Sequence, residues 1–281
     1  MESNTAWRIF KNNFFKGVII LLSFLSISPM LLILFYIGKN GISSINWAFL
    51  TQVPRPMGEI GGGVFNAILG TFVLIIFSSL FSVPVGIASG IYLSEKREGA
   101  LSRTVKLCVE ILQGTPSIVI GIIAYTWIVR PLRSFSVLSG AIALSMMMIP
   151  VIIKSTEETL KLIPYHLKEA SLALGVPYHR TILKVIIPSG LSGILTGILL
   201  SIARITGETA PLLFTSFGNP FMNWNLFKPM ESLPHLIFYY ATSPYPEFHQ
   251  FAWGASFILV SLVLFFNLIA RRVSKRWKIQ L

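Results

Sequence analysis

Aspartate is absent from these 281 residues, so all 11 acidic side chains are glutamates. Cysteine occurs once, as Cys108, which excludes an internal disulfide and any cysteine-based zinc site. The four histidines (His166, His179, His235, His249) are scattered and form no H-E-x-x-H pair, so no metal site is expected. No G-x-x-x-x-G-K-[ST] run occurs, and the chain cannot cradle a nucleotide in a P-loop by itself. No catalytic dyad or triad stands out, so no covalent chemistry and no bound cofactor are expected. Charge is scarce as well, at 12% of residues against about 25% in soluble domains. With 53% hydrophobic residues and a mean hydropathy of +0.71, a water-soluble globule is excluded. The sequence is that of an integral membrane protein.

The remaining charge is lopsided, with 23 lysines and arginines against 11 acids for a net +12. These basic residues lie between long apolar runs rather than in a patch interleaved with aromatics, which points away from nucleic acid and toward membrane orientation. Six runs reach the roughly 20 apolar residues that cross a bilayer core: 17–37, 64–93, 107–129, 135–153, 189–217 and 251–270. Arg8, Lys11 and Lys16 precede the first run as they would in a signal peptide. Its apolar stretch is too long for one, however, and no A-x-A site follows, so a retained anchor is expected. With the N-terminus placed in the cytoplasm, the basic residues of the N-terminal segment, of the loops after spans two and four (among them Arg97) and of the tail (Arg271 to Lys278) all fall inside. Only Lys39, Arg55, Arg130, Arg133 and Lys228 fall outside, and Arg204 lies within a span. Both termini are therefore expected to be cytoplasmic, in a single all-α polytopic domain over residues 1–281. Two outer segments are long: 38–63 carries Gly61-Gly62-Gly63, and 218–250 is rich in aromatics and proline. Two readings stand for them, an interfacial aromatic belt and a docking surface for an extracytoplasmic partner.

The inner loop 154–187 is the most informative polar segment. Pro164 favours the start of a new helix, and Leu167, Ala170, Ser171 and Leu174 then recur at helical spacing. Gly175 supplies a left-handed stop and Pro177 restarts a helix, with Lys168, Glu169, Arg180 and Lys184 bordering the turn. Such an amphipathic helix lies at the membrane surface or docks on a partner.

In the fifth run Arg204 lies about 24 Å of helix beyond Pro188 and about 21 Å short of Gly218, near mid-bilayer. Glu208 follows four residues on, and Gly193, Gly197 and Ser201 precede on the same face. A charge at that depth costs at least ~2.5–3.5 kcal/mol, so the stripe is expected to face protein or a water-filled cavity. One reading is a self-neutralising Arg–Glu pair, although the helix dipole disfavours that order; the other is a solute-handling site. Pro211 is expected to kink the helix. Glu110, near the start of the third run, reads either as an interfacial carboxylate or as a weaker candidate for the pathway.

These segments carry a resemblance. Glu169-Ala170-Ser171, three residues, Gly175, nine residues, then Val185-Ile186-Ile187-Pro188 resemble the E-A-A-x3-G-x9-I-x-L-P loop of ABC importer permeases, with Ser171, Val185 and Ile187 as departures. The run from Ala203 to Thr215, A-R-I-T-G-E-T-A-P-L-L-F-T, and the stretch Gly114-Thr115-Pro116-Ser117-Ile118-Val119-Ile120-Gly121 resemble the phosphate-specific members of the PstA type. The likeness runs over nearly the whole chain and is weakest in the first 45 residues. It implies a type I ABC importer permease fold in a bacterial or archaeal cytoplasmic (inner) membrane. It also implies a PstC-type permease as heterodimer partner, two PstB-type ATPase subunits on which ATP and Mg act, and a PstS-type extracytoplasmic phosphate-binding protein. On the same resemblance Arg204, Glu208 and Thr209 are expected along the substrate pathway, and Glu169, Ala170, Leu174 and Gly175 at the ATPase contact. A permease for another oxyanion (sulfate, molybdate or phosphonate) and an ion-coupled secondary transporter are the alternatives.

Overall fold

The computed structural model describes residues 2–56, 61–96 and 98–276. The described residues hold helices and no strand; Phe217 and Met230 form one isolated bridge. In chain order the helices are α1 (Glu2–Ser44), α2 (Trp47–Thr51), α3 (Phe65–Glu95), α4 (Ala100–Gly114), α5 (Ser117–Leu132), α6 (Val137–Lys161), α7 (Tyr165–Ala173), α8 (Tyr178–Thr206), α9 (Ala210–Leu213), α10 (Leu233–Ala241) and α11 (Pro246–Arg276). Among them α1, α3, α6, α8 and α11 are each long and apolar enough to cross a bilayer, and α4 with α5 makes a sixth crossing if the pair counts as one. Arg97 and Lys278, two of the basic residues used for orientation, lie outside the described residues.

Three expected spans change shape. The 17–37 run sits inside α1, whose 43 residues extend it at both ends. The 107–129 run is not one straight helix, because α4 and α5 meet at 110°. The cause is local: Thr115, held extended at φ −79° and ψ 129° ahead of Pro116, cannot continue α4. A hydropathy window averages across this corner because both flanks are apolar. The 189–217 run also divides. Its helix, α8, starts at Tyr178 and stops at Thr206, and Gly207 to Thr209 lead into the single turn of α9. Pro211 has no N–H to give the Gly207 carbonyl, so the expected kink becomes a helix end. With α6 reaching Lys161, the inner loop shortens to 162–177.

The bundle is built around α6, whose most apolar window is 67% buried, whereas that of α1 is 0% buried. Small residues set the approach of its neighbours. On one side Gly86 and Gly90 of α3 press against Ile152 and Thr156. On the other, Gly193 and Gly197 of α8 press against Thr159 and Ser155, and the Ser155 hydroxyl donates to the Gly193 carbonyl at 3.2 Å. The glycine stripe read in the sequence therefore serves helix packing at these two positions. At the other end of α6 a capping box of Ser136 and Ser139 closes the helix. The Ser136 N–H and the Ser139 hydroxyl both also reach the Thr215 carbonyl, at 3.0 and 2.8 Å.

A Cβ on Gly197 would fall 2.1 Å from Ser155 Oγ. Gly197→Val should therefore destabilise the bundle by about 1–3 kcal/mol, read as a lower thermal unfolding midpoint of the purified protein in detergent. Gly17→Ala, where nothing lies within 4 Å, should not lower that midpoint.

Candidate functional site

The charged end of α8 is built by chain termination. Arg204 occupies the last turn, where the partial negative charge of free carbonyls favours a cation. Arg204 gains from this helix end, whereas Glu208, just past the same terminus, does not. The Gly207 N–H donates to the Arg204 carbonyl at 3.3 Å and the Glu208 N–H to that of Ile205 at 3.1 Å, which folds Glu208 back toward the arginine. Arg204 Nε and Glu208 Oε1 stand 3.8 Å apart, a loose ion pair, with the side chains 49% and 20% exposed. Neither is locked away. The Thr209 carbonyl then accepts from Leu212 and Leu213 at 3.1 and 3.2 Å and starts α9.

The two motif segments touch. A Cβ on Gly121 would lie 2.7 Å from Pro211 Cα, so this glycine lets α5 seat directly on α9. Leu212 is buried against the cluster formed by Leu74, Ile120, Leu144 and Met148. The corner before α5 and the break after α8 are therefore parts of one packed assembly. Glu110 is elsewhere: exposed on α4, it shares a cleft of about 250 Å³ with Lys106, Lys154, Glu157, Glu158 and Lys161, which Arg204 does not line.

The second candidate region is the turn between α7 and α8. Gly175 adopts φ +75°, its N–H bonding the Leu172 carbonyl at 3.0 Å while Val176 N–H reaches that of Ser171 at 3.3 Å. Glu169, Ala170, Leu174 and Gly175 are brought together on an exposed tip. Leu174 is 84% exposed, a large apolar side chain with nothing over it. The apolar stripe read in the sequence is split here: Ser171 turns inward while Leu174, no longer helical at ψ 7°, turns out. Thr181, which the sequence reading missed, is fully buried and hydrogen-bonds Ser171 side chain to side chain at 2.9 Å. This bond accounts for a serine where the resembled motif has alanine. Two further residues the reading missed, Glu95 and Tyr178, meet Lys168 at the base of the loop.

Beyond Thr181, α8 widens into a π turn over Ile182–Ile186, where the Ile187 N–H reaches the Ile182 carbonyl. The shift falls just before Pro188, which has no N–H for the Lys184 carbonyl. The helix survives the proline, and one continuous element of 29 residues, about 44 Å long, joins the exposed tip to Arg204.

Comparison with known proteins agrees with this architecture. Residues 82–279 match the family described as binding-protein-dependent transport system inner membrane component. The chain is 39% identical to the phosphate transport system permease protein PstA of Yersinia pestis over 97% of its own length and 93% of that protein's. It is 38% identical to the PstA of Pasteurella multocida, covering 96% and 97%. It is 35% identical to a probable PstA of Methanocaldococcus jannaschii, covering 92% and 91%. Among solved structures, an inward-facing form of the MetNI methionine ABC transporter superposes with a TM-score of 0.60 at 21% identity, over 77% of this chain and 94% of that one. The fold is thus that of a type I ABC importer permease.

Thr181→Val should leave the Ser171 hydroxyl buried without its side-chain partner, at a cost of about 1–3 kcal/mol. Adding Ser171→Ala should recover most of that loss. A double-mutant cycle on thermal unfolding measures it, and strictly additive effects would show that the two hydroxyls do not interact.

Proposed function

The chain belongs to the family of binding-protein-dependent transport system inner membrane components, and on that premise we propose that it forms half of the pathway through which an ATP-driven importer moves inorganic phosphate inward. It is a multi-pass inner-membrane subunit that works with other transporter subunits. In this reading the companion permease is of the PstC type, two PstB-type subunits bind ATP with Mg and hydrolyse it, and a PstS-type protein delivers phosphate from outside. The exposed tip of α7 and Gly175 then faces the cytoplasm, as do both termini.

One observation carries the reading: a single helix, α8, has the uncovered tip at one end and an accessible arginine–glutamate pair at the other. Glu169, Ala170, Leu174 and Gly175 sit in the ATPase groove. Closure of the ATPases displaces the tip, α8 moves as a rod, and the packed breaks at 114–116 and 207–209 reorganise around the solute. Access alternates from outside to inside.

The chemistry of the pair suits phosphate. The Arg204 guanidinium offers a planar fork of donors to a tetrahedral oxyanion. Hydrogen phosphate keeps a proton near neutral pH, and Glu208 accepts a hydrogen bond from it directly or through water. Sulfate has no such proton, so the carboxylate only repels it. Thr209, next in the chain, adds a hydroxyl beside this point. Most of the selectivity resides in the binding protein, and Glu208 acts as a second check.

The test is uptake of labelled phosphate by the reconstituted four-component transporter. Arg204→Gln should lower uptake about tenfold to a hundredfold, the worth of a charge-assisted hydrogen bond of roughly 1.5–3 kcal/mol. Glu208→Gln should reduce uptake and let sulfate compete. Unchanged uptake with unchanged sulfate exclusion would refute the role of the carboxylate. Uptake that persists with an inactive ATPase and follows an ion gradient would refute the ATP-driven reading altogether.

A further inference from the structure

The loop carrying the exposed tip is attached to the bundle in an unusual way. Beneath α7 lies a cleft of about 580 Å³, lined by Ser94, Glu95, Lys161, Tyr165, Lys168 and Ile186 among others. A polar cluster bridges this hollow. The Lys168 ammonium and the Tyr178 hydroxyl both donate to Glu95 Oε2. Lys168 Nζ also lies 4.9 Å from the ring centroid of Tyr178 and 5.8 Å from that of Tyr165. The pair is largely withdrawn from solvent, with Lys168 and Glu95 side chains 16% and 18% exposed. Burial works against the charge on Lys168, but the Glu95 carboxylate outweighs it and holds the ammonium above the ordinary lysine range. A lysine whose pKa is raised on folding contributes its stability fully below the unfolded value and loses it only as pH rises through the folded one. The contact therefore persists throughout the neutral range.

Glu95 is the last residue of α3. A carboxylate there faces the negative end of the helix dipole, an unfavourable place, and Lys168 and Tyr178 offset that cost. From Glu95, α3 runs as one rod of 31 residues to the other end of the bundle. There Gly70 packs so closely against the Glu231 carbonyl that a Cβ would fall 1.9 Å from it. Met230, one residue earlier, pairs with Phe217 and accepts a hydrogen bond from Ser216, within the segment that follows Glu208.

We propose that Glu95 is a positioning residue for transport: it latches the ATPase-facing loop to α3 through Lys168 and Tyr178, so that displacement of the loop drives α3 as well as α8. The chain then has two transmission rods. One is covalent and ends at Arg204; the other is electrostatic and ends at the segment bracing the turn after Glu208. This rests on the reading of the chain as an ATP-driven importer subunit.

The experiment uses the assembled transporter in liposomes with two measurements: phosphate moved per ATP hydrolysed, and hydrogen–deuterium exchange over residues 165–181. Glu95→Gln should raise exchange in the loop and lower the transport ratio by about fivefold, the lower range of a coupling free energy between sites. Glu95→Lys alone should do at least as much, and Glu95→Lys combined with Lys168→Glu should bring both measurements back toward wild type. The latch is overturned if Glu95→Gln matches wild type in both, if exchange rises while the ratio holds, or if the double reversal does no better than Glu95→Lys. Should the wild-type complex move no phosphate, the transport reading fails by itself. The loop exchange of the three variants still decides whether Glu95 holds the loop.

Discussion

Hydrocarbon offers no partner to a free backbone carbonyl or to an ionised side chain, and this constraint organises the molecule. The chain interrupts its helices twice within apolar sequence, at Gly114 to Pro116 and at Gly207 to Thr209, and both breaks must be covered by protein. They cover each other. Gly121 brings α5 against Pro211 of α9, and Leu212 is held in the core beside Ile120 and Leu144. The Thr215 carbonyl takes donors from Ser136 and Ser139 at the capped start of α6. Two motifs about ninety residues apart in sequence are thus one structural unit, which is why each makes physical sense only beside the other.

The same logic separates the rigid parts from the movable ones. Where α3 and α8 cross α6, glycine pairs bring helices into direct contact, and close-packed interfaces transmit displacement instead of absorbing it. Where α7 meets the bundle, a hollow and a polar cluster replace that packing. A pull at the exposed tip therefore meets little apolar resistance locally and stiff helices beyond. The π turn ahead of Pro188 keeps α8 continuous through what would otherwise be a second interruption. The helix therefore runs unbroken from the foot of the α7–α8 turn to Arg204.

Much of this was legible in the residues. The apolar runs correspond to five long helices and one bent pair, and the Pro164, Gly175 and Pro177 signals mark the ends of α7 and the start of α8. The exposed grouping of Glu169, Ala170, Leu174 and Gly175 follows from that turn. What the residues hid depends on events outside any hydropathy window. The corner at Thr115 is imposed by a proline between two apolar flanks. The end of α8 at Thr206 results from a glycine and a proline that act together, where Pro211 alone suggested a kink. Glu95 and Thr181 escaped notice because their partners, Lys168 and Ser171, are distant in sequence or looked conservative. Only their meeting in space gives them meaning.

Arg204 shows why the isolated chain is incomplete. Its side chain is 49% exposed, yet a guanidinium open to lipid at depth would cost several kcal/mol. Glu208 at 3.8 Å offsets part of that cost as a loose ion pair but leaves most of the five guanidinium donors without a hydrogen bond from it. The small-residue stripe below it is already used against α6, so intramolecular packing cannot close over the arginine. Water, a passing anion or the surface of another subunit must face it. A fully self-contained helix bundle would have buried the pair or replaced it with leucine. Arg204 stands at an open face near the end of α8, and at the foot of that helix the α7–α8 turn presents Leu174 at 84% exposure, so each end of α8 leaves a surface that the described residues do not cover.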